Sequence, residues 1–333
     1  MISSRLLYEL RSELKKSLMA KLGLTATAGM LLLAIFAPFV APYDPTTQQL
    51  EQGLLPPLGF TIEQETTQLV DGEMVTSSET VSGSLAHILG TDRHGRDLLS
   101  RVVYGARTSA TIAIVATTFA ALVGMVIGLT AGYFGGKIDD LLMRIADVML
   151  AFPSIILAIT LIGTLGPVPI TIPDPFVALG IVDGMPGGFV FPVTLTLVIG
   201  LVLWVWFARV ARGEAISIKE ENYIKASKSF GASDSYIIRK HVFPNAFSPI
   251  LVLATTTIAF VIIIESALSF LGFSGTTLSW GFDIAQGRDQ LATSWWNATI
   301  PGLAIMISVI GVNLIGDWLR DALDPELEGE GGM

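Results

Sequence analysis

The sequence contains no cysteine and few charged residues. Without cysteine, the 333-residue chain can form neither a disulfide nor a Cys-based metal site. Charged residues make up 15% of the chain and hydrophobic residues 51%, and the mean hydropathy is +0.64. This balance is too apolar for an ordinary soluble domain and is typical of a protein that crosses a membrane several times. The net charge of -9 disfavours binding to nucleic acid.

The common catalytic motifs are absent too. No phosphate-binding G-x-x-x-x-G-K-[ST] occurs, because Gly135-Gly136-Lys137 is followed by Ile138 and lacks the upstream glycine. The sequence contains no HExxH motif of zinc proteases and no GxSxG nucleophile elbow. We therefore predict that the chain is not an enzyme and binds no cofactor itself.

Long apolar runs predict an all-α polytopic membrane protein with six transmembrane helices. Each run is about the ~20 residues that a helix needs to cross ~30 Å of hydrocarbon. The runs lie at 22–41, 108–133, 141–165, 191–211, 250–271 and 297–315. The basic segment 1–21 before the first run also fits a signal peptide, but the run is long and lacks a clear cleavage site, which favours an uncleaved first span.

The basic residues are distributed unequally between the two predicted sides. Of the 20 Lys and Arg residues, the segments placed outside hold only Arg93, Arg96, Arg101, Arg107 and Arg288. The positive-inside rule then places both termini, including the acidic tail 319–333, in the cytoplasm. We predict a multi-pass protein of the cell (plasma) membrane.

The longest segment between spans, 42–107, is predicted to lie outside. Its middle part, 48–84, is polar with scattered Val, Leu and Ile, which predicts one or two short strands in a solvated loop or in a contact surface for an external protein. The string LGTDRHGRDLLSRVVYGARTS at 89–109 predicts an interfacial helix that leads into the second span. The His and Asp residues near this string have side chains that bind metals, but their spacing fits no ligand pattern, and we predict no metal site.

The only long polar run between two spans, 214–249, predicts two short helices. Ile216, Tyr223, Ala226 and Phe230 fall near one face of the first helix. Gly231 then suits a positive φ angle just after that helix.

The second helix of this run is predicted to begin and end at specific residues. Ser233 is suited to cap its first turn, and Asp234 supplies a first-turn carboxylate. Pro244 is predicted to prevent its simple continuation.

A few residues within the spans invite specific interpretations. Glu265 in the fifth span is either part of a translocation path or a hydrogen-bonded carboxyl that joins two helices. Gly124, Gly128 and Gly132 recur at every fourth residue and predict close helix packing. Asp147 is spaced to pair with Arg144 on one helix.

Three separate strings resemble one protein family. Lys225-Ala226-Ser227, Gly231 and then Phe243-Pro244-Asn245 resemble the EAA loop of ABC-importer permeases for dipeptides, oligopeptides and nickel, although Lys225 stands where the family commonly has Glu. The string at 89–109 and the region 262–327 are similar to the same family, and especially to its second permease subunit with an extra N-terminal span. The resemblance extends from Leu22 to Leu327 and is weakest at 48–84.

The resemblance implies a type I ABC-importer permease fold. It places a first transmembrane helix at 22–41 and a permease domain at 108–318, which contains a cytoplasmic coupling loop at 212–249. The implied partners are a second homologous permease subunit, two ATP-binding subunits that use the ATP, an extracellular substrate-binding protein and membrane lipid. The implied residues that dock the ATP-binding subunit are Tyr223, Ala226, Ser227, Phe230, Gly231 and Pro244.

Several alternatives stay open at this point. The cargo of such a family member is a peptide, a nickel chelate or an oligosaccharide, and the two ATP-binding subunits are identical or different. A secondary transporter that uses Glu265 is a rival interpretation, and a membrane scaffold is another. Neighbouring reading frames that encode a P-loop protein and a second EAA-type loop favour the importer over both.

Overall fold

The structure, a computed structural model, describes residues 14, 16–70 and 73–323, so most of the predicted basic leader and the end of the acidic tail lie outside the described residues. The described part is mainly helical. Its helices are α1 (Leu18–Ile35), α2 (Ala37–Val40), α3 (Leu98–Phe134), α4 (Gly136–Leu150), α5 (Ser154–Leu165), α6 (Pro175–Ala178), α7 (Val193–Lys219), α8 (Asn222–Ser229), α9 (Asp234–Ile237), α10 (Phe243–Phe270), α11 (Trp280–Gly287) and α12 (Trp296–Leu323). Two antiparallel hairpins complete it, β1 (Thr61–Val70) with β2 (Glu73–Ser82) and β3 (Pro169–Pro173) with β4 (Gly188–Pro192).

Five helical segments among the described residues are long and apolar enough to cross a membrane. They are α1, α3, α7, the run from Asp234 to Phe270 and α12, and the bent pair of α4 and α5 makes a sixth if it is one span. The predicted helical polytopic fold is therefore confirmed.

The predicted third span is not one straight helix. α4 and α5 meet at 89° around a short break. Pro153 lies in that break, where its missing N–H and the restriction it places on Phe152 stop the helix. Because α5 has only 12 residues, it is too short to cross the bilayer alone.

The predicted helix that leads into the second span is the N-terminal part of the same helix, α3. α3 runs without interruption for 37 residues, roughly 55 Å at 1.5 Å per residue. Its N-terminal part is buried against other elements, where Arg101 pairs with Asp283 and Arg107 pairs with Asp174. Because each guanidinium has a buried carboxylate partner, the charged residues stay inside this helix without reaching solvent.

Pro244 does not end a helix, in contrast to the prediction. A five-residue π-helix, Ile238–Val242, joins α9 to α10, and Phe243 donates its N–H to the carbonyl of Ile238. The wider turn of the π-helix avoids the clash that a proline ring makes with the carbonyl four residues earlier. The N–H that proline lacks is therefore not needed for an α-helical hydrogen bond at this position. The helical rod from Asp234 to Phe270 is therefore continuous.

The most extensive helix contact in the described part joins α3 to α7. The α3 residues Gly124, Gly128 and Gly132 face the α7 carbonyls of Trp204, Ala208 and Arg212, respectively. A Cβ atom added at Gly132 would lie 2.5 Å from the carbonyl oxygen of Arg212. Only glycine permits this approach, so the predicted packing use of the repeat is confirmed. α10 packs on α3, and α1 and α12 pack on each other at the periphery.

The two hairpins lie at the end of the molecule where α3 begins, which we call the hairpin side. β1 and β2 confirm the predicted strands of the 48–84 region, with Thr61 opposite Ser82. The sequence does not predict the second hairpin, because its strands are only five residues long and adjoin prolines and glycines. The opposite end, where α3 stops at Phe134 and residues 220–244 lie, is the loop side.

Candidate functional site: the helical loop at residues 220–244

The loop side carries the segment with the strongest sequence signal, which we call the helical loop (220–244). α7 ends at Lys219, and after a short turn α8 begins with Glu221 at its N-cap. α9 follows and continues into α10. The loop is thus a short helix held between two membrane-spanning rods.

The end of α8 has the geometry of a Schellman motif. Gly231 has a φ angle of 82° and donates its N–H to the carbonyl of Lys228 at 2.9 Å. Ala232 donates to the carbonyl of Ser227 at 3.1 Å. These two bonds satisfy carbonyls that the helix leaves free, and a positive φ angle costs glycine little. Gly231 therefore has the positive φ angle just after α8 that the sequence predicts.

The start of α9 is fixed by two polar contacts. Ser233 accepts the N–H of Tyr236 at 3.4 Å, as expected of an N-cap residue. Asp234 accepts a hydrogen bond from the hydroxyl of Tyr133, the next-to-last residue of α3, at 2.6 Å. The loop is thereby joined to a third membrane helix.

Three buried side chains that the sequence pattern does not single out anchor the loop. Ile224 of α8, Ile237 of α9 and Val242 of the π-helix are all fully buried. Their apolar character at helical spacing could have indicated a buried helix face, but the polar residues around them make this pattern hard to recognise. Ile216, which was grouped with the α8 residues, belongs to α7.

The predicted docking residues lie on the outer surface of the loop. Phe230 is 92% exposed and Tyr223 43% exposed, Ala226 is exposed, and Ser227 is half-buried. Ser227 donates its hydroxyl to the carbonyl of Tyr223 at 2.8 Å, so it is satisfied within α8. The result is a projecting aromatic ring beside small side chains. Such a surface suits a contact with another protein rather than a chemical reaction.

Pro244, the last residue of the helical loop, lies on the surface at the start of α10. Its neighbour Asn245 donates to the carbonyl of His241 at 2.6 Å and to the hydroxyl of Tyr223 at 3.4 Å. The rings of Tyr223 and His241 also lie 5.7 Å apart. These contacts bring Pro244 and the N-terminal end of α8 together.

The position that departs from the EAA pattern has a partner within the chain. The ammonium of Lys225 lies 3.0 Å from the carboxylate of Glu220. The hydrogen bond from Lys225 holds the pKa of Glu220 below its ordinary value. Both side chains are largely exposed, so the pair contributes little to stability.

Two ion pairs connect α7 to α4 just before the loop. Arg212 binds both carboxylate oxygens of Asp139 at 2.6 Å, and Arg209 binds Asp147 at 2.7 Å. The predicted pairing of Asp147 with Arg144 is therefore wrong. Helical spacing brings Arg144 near Asp147, but the packing of α7 on α4 supplies a better-placed guanidinium.

Glu265 lies far from the loop, in the interior of α10. It is fully buried, and it accepts hydrogen bonds from Ser269 at 2.6 Å and from Ser109 of α3 at 3.1 Å. The structure thus places this carboxyl between two packed helices and surrounds it with hydroxyl donors. Among the described residues, no group of three or more His, Cys, Asp or Glu side chains could hold a metal ion.

Sequence comparisons place these features among transport proteins. Residues 124–329 match the family described as binding-protein-dependent transport system inner membrane component, and residues 6–57 match the N-terminal TM domain of oligopeptide transport permease C. The dipeptide transport system permease protein DppC of Alkalihalophilus pseudofirmus is 35% identical over 95% of this chain and 88% of its own length. The probable D,D-dipeptide transport system permease protein DdpC of Escherichia coli is 33% identical over 90% of this chain and 85% of its own.

A comparison with solved structures finds the MetNI methionine ABC transporter in an inward-facing conformation. The alignment has a TM-score of 0.48 at 18% sequence identity and covers 67% of this chain and 96% of that chain.

Proposed function

The chain belongs to the family of binding-protein-dependent transport system inner membrane components, and from this premise we propose that it imports di- or oligopeptides as one of two permease subunits of an ATP-driven transporter. The relatives named as dipeptide permeases match nearly the whole chain, which supports peptides over nickel chelates or oligosaccharides as cargo. The chain would line the translocation path together with a second, homologous permease.

The observation that carries the proposal is the exposed outer surface of α8. Phe230 is almost completely exposed to solvent, although burying a phenyl ring lowers the free energy of a protein in water. The Schellman motif at Gly231 and the buried Ile224 fix the position of α8, which carries this ring at its C-terminal end. We propose that Tyr223, Ala226, Ser227, Phe230, Gly231 and Pro244 form the contact with an ATP-binding subunit.

In this proposal ATP is bound and hydrolysed by two partner subunits on the cytoplasmic side, and this chain holds no cofactor. Closure of those subunits would move the helical loop, and with it α7 and α10, which precede and follow it along the backbone. A substrate-binding protein would deliver cargo to the hairpin side, which would therefore be extracellular. Both termini would lie in the cytoplasm.

Co-purification with the ATP-binding subunits tests the docking proposal. We expect Phe230→Asp to reduce the recovered ATP-binding subunit at least about tenfold, because a charge replaces a buried aromatic contact at the interface. Gly231→Pro should have a similar effect, because proline lacks the N–H that is donated to Lys228 and cannot adopt the positive φ angle.

Leu85→Asp is the matched control, because Leu85 is 78% exposed but lies on the hairpin side. It introduces the same charge and should leave recovery unchanged. If Phe230→Asp and Leu85→Asp retain equal amounts of the ATP-binding subunit, the docking surface lies elsewhere. If the wild type recovers none under any nucleotide condition, the ATP-driven mechanism is itself contradicted.

A further inference from the structure

Tyr133, near the end of α3, contacts side chains from three other segments on the loop side. Its ring is 2% exposed, and its hydroxyl donates to Asp234 of α9. The ammonium groups of Lys228 and Lys219 lie 5.0 Å and 5.8 Å from the centre of its ring. Lys228 also lies 3.8 Å from the carboxylate of Asp234. We call these four residues the Tyr133 cluster.

The cluster brings together parts of the chain that are far apart in sequence. Lys219 is the last residue of α7, Lys228 lies in α8, and Asp234 begins the rod that contains α10. Among the described residues, Tyr133 and Asp234 make the only side-chain hydrogen bond between the helical loop and a span that does not continue into it. α3 is therefore connected to the loop by side-chain contacts, because its own backbone does not lead into the loop.

The position of α3 makes this connection important. α3 is fixed to α7 by the glycine contacts at 124, 128 and 132, and it also packs against α10. A force on the loop reaches α7 and α10 through the backbone, across the short turn after Lys219 and along the rod from Asp234 to Phe270. At the end of α3, the Tyr133 cluster supplies the side-chain hydrogen bond to the loop, beside a packing contact between α3 and the π-helix Ile238–Val242.

From this geometry we infer that Tyr133 is a positioning residue that couples movement of the helical loop to α3, so that α3, α7 and α10 move as one unit when an ATP-binding subunit pulls on the loop. The inference rests on the proposed docking function of the same loop. The hydroxyl hydrogen bond to a carboxylate is short and charge-assisted, which is the stronger class of hydrogen bond. Both lysines lie over the aromatic ring, and Lys228 also attracts that carboxylate.

The chain itself offers a matched pair of variants for the test. Tyr133→Phe removes the hydroxyl and keeps the ring with its two lysine contacts. Tyr104→Phe removes a hydroxyl from the same helix that is equally buried but makes no hydrogen bond among the described residues. Any effect of Tyr133→Phe beyond that of Tyr104→Phe is therefore due to the bond with Asp234.

The experiment compares these variants in the complete transporter, reconstituted in proteoliposomes with the substrate-binding protein and radiolabelled alanyl-alanine as the probe. We expect both variants to co-purify with the ATP-binding subunits at the wild-type level, because the docking surface is intact. Tyr133→Phe should lower the amount of dipeptide taken up per ATP hydrolysed about five- to tenfold, and Tyr104→Phe should not. Melting temperatures measured in parallel should be equal.

A double-mutant cycle assigns the effect to the pair. Asp234→Ala should lower the same ratio, and the double variant should be no worse than the poorer single variant, since either change removes the bond. Asp234→Asn keeps an acceptor oxygen and should restore most of the coupling. Equal ratios for Tyr133→Phe and Tyr104→Phe would overturn the inference while leaving the docking proposal intact.

The inference about Tyr133 can still be tested if alanyl-alanine is not transported. In that case alanyl-alanine is excluded as a cargo, and the same variants are compared by cysteine labelling in a Thr276→Cys background. Thr276 is exposed in the loop after α10. ATP with vanadate should change the rate of maleimide labelling of this cysteine in the wild type and in Tyr104→Phe. A change of the same size in Tyr133→Phe would also overturn the inference.

Discussion

At the scale of single residues, Glu265 shows how a buried carboxyl is retained within a membrane span. An isolated charge there is costly, but hydroxyl groups from Ser109 and Ser269 are directed at this carboxyl. These bonds connect α3 with α10. They support the interpretation of Glu265 as a residue that joins helices, while a role in the translocation path stays a prediction.

Two substitutions at Glu265 separate these interpretations. Glu265→Gln keeps an acceptor oxygen for the serine hydroxyls, so we expect the melting temperature and transport to stay close to those of the wild type. Glu265→Leu leaves the hydroxyls without their partner, which should cost about 1–3 kcal/mol of stability and lower the melting temperature. Thermal unfolding in detergent and peptide uptake are the measurements. Loss of uptake in Glu265→Gln at unchanged stability would instead indicate a role in translocation.

At the scale of helices, the packing of α3 on α7 depends on a close approach of two backbones. Gly128 lies against the carbonyl of Ala208, and an added methyl group would overlap it. The sequence predicts this contact from the spacing of its glycines alone, because a residue repeated every fourth position stays on one helix face. It does not identify α7 as the partner, since any helix can pack against such a face.

A comparison of two glycine substitutions tests the contact. Gly128→Ala should destabilise the protein by about 1–3 kcal/mol, because α3 and α7 must separate to accept the methyl group. Gly163→Ala is the control, since Gly163 in α5 has nothing within 4 Å of an added Cβ atom. This change should leave stability unchanged or raise it by up to about 1 kcal/mol, because alanine favours helix over glycine. Equal melting temperatures for the two variants would argue against the observed packing.

Breaks and continuities in the helices were harder to predict than the helices themselves. Pro153 and Pro244 have the same covalent constraint, yet one lies at an 89° bend and the other lies in a continuous rod. The difference is the π-helix before Pro244, which widens the turn. A proline in a sequence indicates only that an ordinary α-helical bond is missing, and the surrounding packing decides whether the chain bends.

At the scale of the whole molecule, the hairpin side and the loop side are separated by the length of α3. If the hairpin side is extracellular, the two sides differ in their access to reagents that cannot cross a membrane. The absence of cysteine makes this difference easy to measure, because any introduced cysteine is the only one in the chain.

Labelling of single cysteines in intact cells tests the orientation. A membrane-impermeant maleimide should label Leu85→Cys directly, since this residue is 78% exposed on the hairpin side. It should label Phe230→Cys only after the membrane is permeabilised, and the chain should be expressed without ATP-binding subunits so that nothing covers the loop. The reverse pattern would mean that the proposed topology is inverted.

The sequence by itself determined the membrane class, the approximate positions of most spans, the short helix that ends just before Gly231 and the strands near 61–82. These features depend on local properties, namely hydropathy, helical period and the φ angle that glycine permits. The tertiary structure alone decided which residues meet. Arg209 rather than Arg144 binds Asp147, and the hydroxyl of Tyr133 reaches Asp234 across about a hundred residues of chain. Such contacts depend on how helices pack against each other in three dimensions. The spacing of residues within one helix does not indicate which residues of another helix will lie opposite.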